Sequence, residues 1–247
     1  MEGQLFFTAI VRDLTEIKSL EKQISESERL ATLGQFVAEI SHEIKNPLMM
    51  IGGFARQLTK QIQDDKGRQK LDIILKEVLR MEELLKELRE FYLPRPVTTG
   101  QVEVISLLRE IHDLAQADCE NRNIKTSFKT DRKELVIERD KDKLKQVLLN
   151  LVKNAIEAMD SGGELAINAE LKDDVVDIAI TDNGIGIKKE HHDKVFSPFY
   201  TTKEYGTGLG LSISKSIIEC QEGASCSFKS KEGEGTVFKI SLPVCAG

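Results

Sequence analysis

The chain contains no tryptophan, only five prolines among its 247 residues, and four cysteines. No apolar run approaches the roughly 18 residues needed to cross a bilayer, and no charged-then-apolar leader opens the chain, so neither a spanning helix nor a signal peptide is expected. The cysteines (Cys119, Cys220, Cys226 and Cys245) are scattered without a CxxC pair. That spacing excludes the usual zinc frameworks and suits free thiols in a reducing cytoplasm. Lysine and arginine build no tract and the formal net charge is −6, which argues against a nucleic-acid-binding surface. There is also no Gly-Lys dipeptide, so no P-loop. What is present, 40% hydrophobic and 31% charged residues, is enough for one large or two ordinary soluble domains.

The first third reads as helix. Leu5–Val11 is a β-prone run too short to stand alone, followed by a helix start at Asp13 or Thr15. Leu14, Ile17, Leu20 and Ile24 keep a 3-4 spacing that slips before Leu30, which predicts a phase change around residues 25–30. Leu30, Leu33, Val37, Ile40, Ile44 and Ile51 then define a buried seam. At about 100° per residue His42 points away from that seam, beside Glu43 and one turn before Asn46. Pro47, which lacks an N–H, is expected to weaken the helix just past His42. A polar break at Gln63–Gly67 separates this helix from a second with Leu71, Ile74, Val78, Met81, Leu85, Leu88 and Tyr92 on a strict heptad. Leu93-Pro94-Arg95-Pro96 stops it. Met49, Met50 and Met81 are expected as core filler. An antiparallel hairpin with one stripe per helix buries too little alone, so a homodimer closing into a four-helix bundle is expected.

Beyond residue 97 the pattern turns to mixed α and β. Helices are expected over 105–120, from an Asp140 cap to about 159, and over 212–219. Strands are expected over 124–128, 135–137, 164–171, 175–181, 224–229 and 236–242. This alternation predicts an α/β sandwich with helices on one face of a mixed sheet, so the whole chain is multidomain and α+β.

Four features of this half share a chemistry. Asn150 and Asn154 stack one turn apart on a helix, and neutral amide oxygens suit Mg²⁺. Adjacent Lys153 offers charge to phosphate. Thr181-Asp182-Asn183-Gly184-Ile185-Gly186 follows a strand, where Asp182 can accept a hydrogen bond from an adenine amino group while the glycines let backbone approach. Gly206-Thr207-Gly208-Leu209-Gly210 feeds a helix N-terminus, a ready phosphate site. Between them, Phe196–Lys203 carries aromatics fit to anchor one end of a mobile lid, with Lys203 near the phosphates. His112, His191 and His192 have no such partners and are expected on the surface.

In this order and spacing, the chain resembles the sensor histidine kinases of two-component signalling over nearly its whole length. Ser41–Pro47 is similar to the family's H-box, Asn150–Ala158 to its N-box, and Asp182–Ile187 to its first glycine box. Phe196–Thr202 and Gly206–Gly210 resemble the F-box and second glycine box. The resemblance implies the remnant of a PAS-like sensor over 1–13, a signalling coiled coil over 14–40 and a dimerisation and phosphotransfer hairpin over 30–95. A Bergerat-type (GHKL) ATP-binding domain would span 97–247. It implies that His42 accepts the γ-phosphoryl of ATP, with Glu43 as base and Asn46 placing water to dephosphorylate a response regulator. Asn154 would ligate Mg²⁺. The nucleotide would be held by Asn150, Lys153, Asp182, Gly184, Gly186, Thr202, Lys203, Gly206, Gly208, Leu209 and Gly210. The implied partner is the receiver domain of a response regulator, with no membrane contact in this segment, the parent protein being anchored, if at all, through segments absent here. The alternatives are a GHKL-type conformational ATPase, which carries Glu where this chain has Asn150, and a non-catalytic nucleotide-binding dimeric scaffold.

Overall fold

A computed structural model describes residues 37, 40, 41, 43–92, 98–203 and 206–244, which fall into two compact units, Met1–Pro94 and Arg95–Gly247. The expected sensor strand at 1–13, the coil up to residue 36, His42, and the stop at Leu93–Pro96 lie outside the described residues. No helix among the described residues is long and apolar enough to cross a membrane.

The first unit is a helical hairpin, α1 over 43–61 and α2 over Asp65–Tyr92. Helix α1 continues through Pro47, so the loss of one N–H donor does not end it. The turn is set by Asp64, whose carboxylate accepts from the Gly67 amide at 2.8 Å while its carbonyl accepts from Arg68 at 3.0 Å. These bonds satisfy amides left open at the start of α2. Seven-residue spacing puts Ser41, Leu48 and Ala55 of the first helix, and Leu71, Val78 and Leu85 of the second, in buried positions. Leu48 clusters with Val78 and Leu85. Gly52 permits the approach, since a β-carbon there would lie 3.2 Å from Val78.

Within one chain, part of the expected seam is left uncovered. Ile44 and Ile51 are 42% and 48% exposed, as are Ile74 (42%) and Met81 (46%), and Met49 and Met50 are likewise exposed rather than core filler. Periodicity identifies an apolar stripe but not what covers it. Within one chain the inner face is the stripe beside it.

The second unit is a five-stranded sheet in the order β2-β4-β5-β7-β6 with helices on one face, beside a two-stranded sheet β1-β3. Its elements are β1 (Gly100–Glu103), α3 (Val104–Asn121), β2 (Ile124–Thr130), β3 (Val136–Arg139) and α4 (Lys141–Glu157). They continue with β4 (Gly163–Lys172), β5 (Val175–Asp182), α5 (Gly210–Glu219), β6 (Ser225–Lys231) and β7 (Gly235–Pro243). Strands β2 and β4 pair in parallel, and the remaining pairs are antiparallel. Alternation works as expected: Ile178 and Ile180 of β5, with Ile240 and Leu242 of β7, are almost fully buried against Leu148 and Leu151 of α4 and Leu108 and Ile111 of α3.

Strand β1, which periodicity had not suggested, exists because Glu103 ties three segments together. Its carboxylate accepts from Ile105 (3.1 Å) and Ser106 (2.5 Å) to cap α3, and from Leu135 (2.9 Å) leading into β3. Burial pushes its pKa up, but these hydrogen bonds outweigh that and leave it lowered. Asp140 caps α4 through Lys143 at 3.0 Å and also accepts from Thr98 at 2.8 Å.

Candidate nucleotide-binding site

Strand β5 ends on Asp182, which is 3% exposed. Its carboxylate accepts from the Gly184 amide at 2.9 Å, fixing the turn that leaves the strand. Burial raises its pKa, and the backbone donors Gly184 and Thr236 and the charge of Lys203 offset this only in part. A buried carboxylate of this kind, at the end of a strand, is an acceptor that a ligand N–H could reach.

The glycines around it are sterically required. A β-carbon on Gly184 would sit 2.4 Å from the Ala158 carbonyl oxygen, and one on Gly186, which has φ +65°, would sit 2.1 Å from that of Lys231. Further bonds hold this loop: Ile185 N–H to Ala158 O (3.0 Å), Ile187 N–H to Ser230 Oγ (2.8 Å) and Glu164 N–H to Asn183 Oδ1 (2.8 Å).

Helix α4 carries Asn150 and Asn154 one turn apart, and their amides touch at 3.5 Å. Asn150 Nδ2 donates to Ser214 Oγ of α5 at 2.8 Å. Gly210, the first residue of α5, leaves room for that amide, since a β-carbon would fall 2.4 Å from Asn150 Oδ1. The N-cap of α5, Leu209, provides no side-chain acceptor, so the first amides of α5 are available to an anion. The Leu209 side chain is fully buried, its amide donates to Thr207 Oγ1 at 3.3 Å and its carbonyl accepts from Ile213 at 2.9 Å. Gly208 (φ +70°) packs on the backbone of Phe199 and Tyr200, 2.4 Å from where its β-carbon would be, and Gly206 packs on Thr201.

The segment between is anchored by aromatics. Phe196 stacks edge-on against Phe228 (5.7 Å), and Tyr200 Oη bonds His191 Nδ1 at 2.6 Å. His192 Nε2 bonds Ile187 O at 3.0 Å. The three histidines expected on the surface are thus part-buried: His191 fastens this segment through Tyr200, His192 packs edge-on against Phe228 at 5.2 Å, and His112 packs near Phe128. Thr202 is exposed. Lys203 Nζ donates to Asn154 Oδ1 at 3.0 Å and to Glu157 Oε2 at 2.5 Å. Lys153 lines a groove with Glu157 of the same helix, Leu114 and Asp118 of α3, and Arg122 just past the end of α3. Ser214 and Glu157 were not singled out in the sequence. Glu157 was within reach of the helical spacing, three residues after Asn154, whereas Ser214 becomes relevant only once α5 packs on α4. In the first unit Glu43 and Asn46 are exposed.

Known proteins match along the same two units. The family model described as His Kinase A (phospho-acceptor) domain matches residues 32–93. That described as Histidine kinase-, DNA gyrase B-, and HSP90-like ATPase matches residues 139–246. The signal transduction histidine-protein kinase AtoS of Escherichia coli K12 is 36% identical over 95% of this chain and 39% of its own length. Sporulation kinase E of Bacillus subtilis is 37% identical over 96% of this chain and 32% of its own. The chain therefore spans about a third to two-fifths of the length of these curated relatives. Among solved structures, the histidine kinase ThkA in complex with the response regulator protein TrrA superposes with a TM-score of 0.68 at 35% identity, covering 94% of this chain and 68% of that one. The catalytic domain of ThkA alone, 38% identical with a TM-score of 0.56, is covered over 96% of its length by 60% of this chain. With a phospho-acceptor hairpin, a nucleotide fold, and these relatives alike, the chain belongs to the sensor histidine kinase family.

Proposed function

We propose that this chain is an ATP-dependent protein-histidine kinase that phosphorylates its own His42 and passes the phosphoryl group to an aspartate of a response-regulator receiver domain. The observation that carries this reading is the amide oxygen of Asn154, already turned onto a cation, the Lys203 ammonium at 3.0 Å, in the unit where buried Asp182 closes β5. The donor set fits Mg²⁺, which takes few protein ligands beside phosphate oxygens. Mg²⁺ held by Asn154 would neutralise charge on the phosphates. Asp182 would accept from the adenine amino group, with Gly184 and Gly186 keeping that wall flat. Asn150, Gly206, Gly208, Gly210 and the open amides of α5 would flank the phosphates, with Thr202 and Lys203 beside them.

For the transfer itself, a ring nitrogen of His42 attacks the γ-phosphorus. The bond to the β–γ bridging oxygen breaks, ADP departs with that electron pair, and exposed Glu43 takes the imidazole proton. Asn46, one turn further, would place the water that removes the phosphoryl group from the regulator. The exposed stripes of Ile44, Ile51, Ile74 and Met81 support a homodimer through the hairpin. Asn150 stands where a conformational ATPase carries the Glu that activates water, which disfavours simple hydrolysis.

Incubation with γ-labelled ATP and Mg²⁺ tests this. Acid-labile, alkali-stable label on the wild type and none on His42→Gln is expected. Label persisting on His42→Gln, or free phosphate released without labelled protein, overturns the assignment.

A further inference from the structure

Resting on the nucleotide-site reading above, we propose that Glu157 is a positioning residue of that site. With Asn154 it forms a two-oxygen cradle that holds the Lys203 ammonium on the same Asn154 oxygen that would ligate Mg²⁺. Asn154 and Glu157, three residues apart, lie on one face of α4. Between them they take two of the three protons of the ammonium, at 3.0 Å and 2.5 Å. The stem of Lys203 is set up for this. Its amide donates to Thr201 Oγ1 at 3.1 Å and its carbonyl accepts from Gly206 at 3.3 Å, so its backbone is held independently of the ion pair.

The consequence is a competition. A divalent cation ligated by Asn154 Oδ1 needs the same oxygen, and two cations cannot share it at ligand distance without strong repulsion. Metal entry therefore requires Lys203 to leave Asn154. Glu157 decides how readily it leaves, because the carboxylate supplies the charge-assisted half of the cradle. Once a nucleotide is present, its phosphate oxygens offer the ammonium a second anionic partner, and Lys203 passes from helix to ligand. The ion pair is part-exposed, with side chains 41% and 33% accessible, so solvent screening keeps the effect modest.

The test uses the full chain and four proteins: wild type, Glu157→Gln, Lys203→Met and the double variant. Without nucleotide, hydrogen exchange at the amides of Lys203 and Gly206 is expected to quicken about two- to fivefold in Glu157→Gln. The double variant should be no faster than Lys203→Met. Exchange unchanged by Glu157→Gln overturns the cradle. For Mg²⁺·ADP measured by calorimetry, Glu157→Gln is expected to tighten binding about two- to fivefold in the wild-type background and to change nothing in the Lys203→Met background. Equal effects in both backgrounds mean a general charge effect and overturn the competition. If no variant and no wild type binds Mg²⁺·ADP, the nucleotide reading and the competition fall together, while the exchange data still decide the Glu157–Lys203 contact by itself.

Discussion

In the α/β unit, Leu108, Leu148, Ile167, Ile178 and Ile240 lose all contact with solvent inside one chain, whereas in the hairpin Ile44, Ile51, Phe54, Ile74 and Met81 keep between 42% and 60% of their surface exposed. Both regions have clear apolar periodicity. They differ in dimensionality: a five-stranded sheet under three helices encloses a core, but two helices have only one line of mutual contact. The α/β unit can therefore hold the proposed nucleotide site on a core complete within one chain. The hairpin needs more apolar cover, and the proposed homodimer would provide it by pairing the same stripe of a second copy.

The largest expected effect breaks this comparison at its weaker side. Ile51→Asp combined with Met81→Asp should take the chain from dimer to monomer in sedimentation and melt the hairpin, while nucleotide affinity of the α/β unit is retained. A dimer that survives both charges would show that these stripes are not its interface. An intermediate effect is expected at Asp182. Burial raises its pKa, so the folded state favours the protonated form more than the unfolded chain does. Its favourable contribution is present below the ordinary value of 3.8 and is lost as pH rises through the raised value. At pH 7 the ionised carboxylate is thus a cost to folding. Asp182→Asn should raise the Tm of the nucleotide-free protein at neutral pH, with the gain vanishing towards acid, yet weaken ADP binding about tenfold or more. A lower Tm together with unchanged binding would make Asp182 a structural residue.

The smallest effect belongs to the α3 cap. Its pKa is lowered, so Glu103 stabilises the fold above the ordinary value of 4.5 and loses this as pH falls. Glu103→Ala should cost about 1–2 kcal/mol of α/β-unit stability at pH 7 and progressively less in acid, by denaturant titration. No change in the hairpin transition is expected.

Much of the fold was legible because local chemistry and tertiary demand coincide. Asp140 was readable as a cap and is one; the strands expected at 164–171 and 175–181 are β4 (Gly163–Lys172) and β5 (Val175–Asp182). Strand β1 was not legible, since Gly100–Glu103 has no periodicity of its own and is held by Leu135, 32 residues on from Glu103. The same limit applies at the site. The placements of Asn150, Asn154 and Asp182 follow from helix spacing and a strand end, but the partners that orient them (Ser214, 64 residues from Asn150, and Lys203, 49 from Asn154) follow from packing.

The sequence by itself determined the two units, the helical and strand periods within them, and which residues carry amide, carboxylate and glycine chemistry, because each of these depends on neighbours within a turn or a pleat. Only the tertiary structure decided which apolar stripe is buried within one chain, that His191 meets Tyr200, and that Glu157 meets Lys203. Those outcomes depend on which elements pack together, and spacing along one element carries no information about its neighbour.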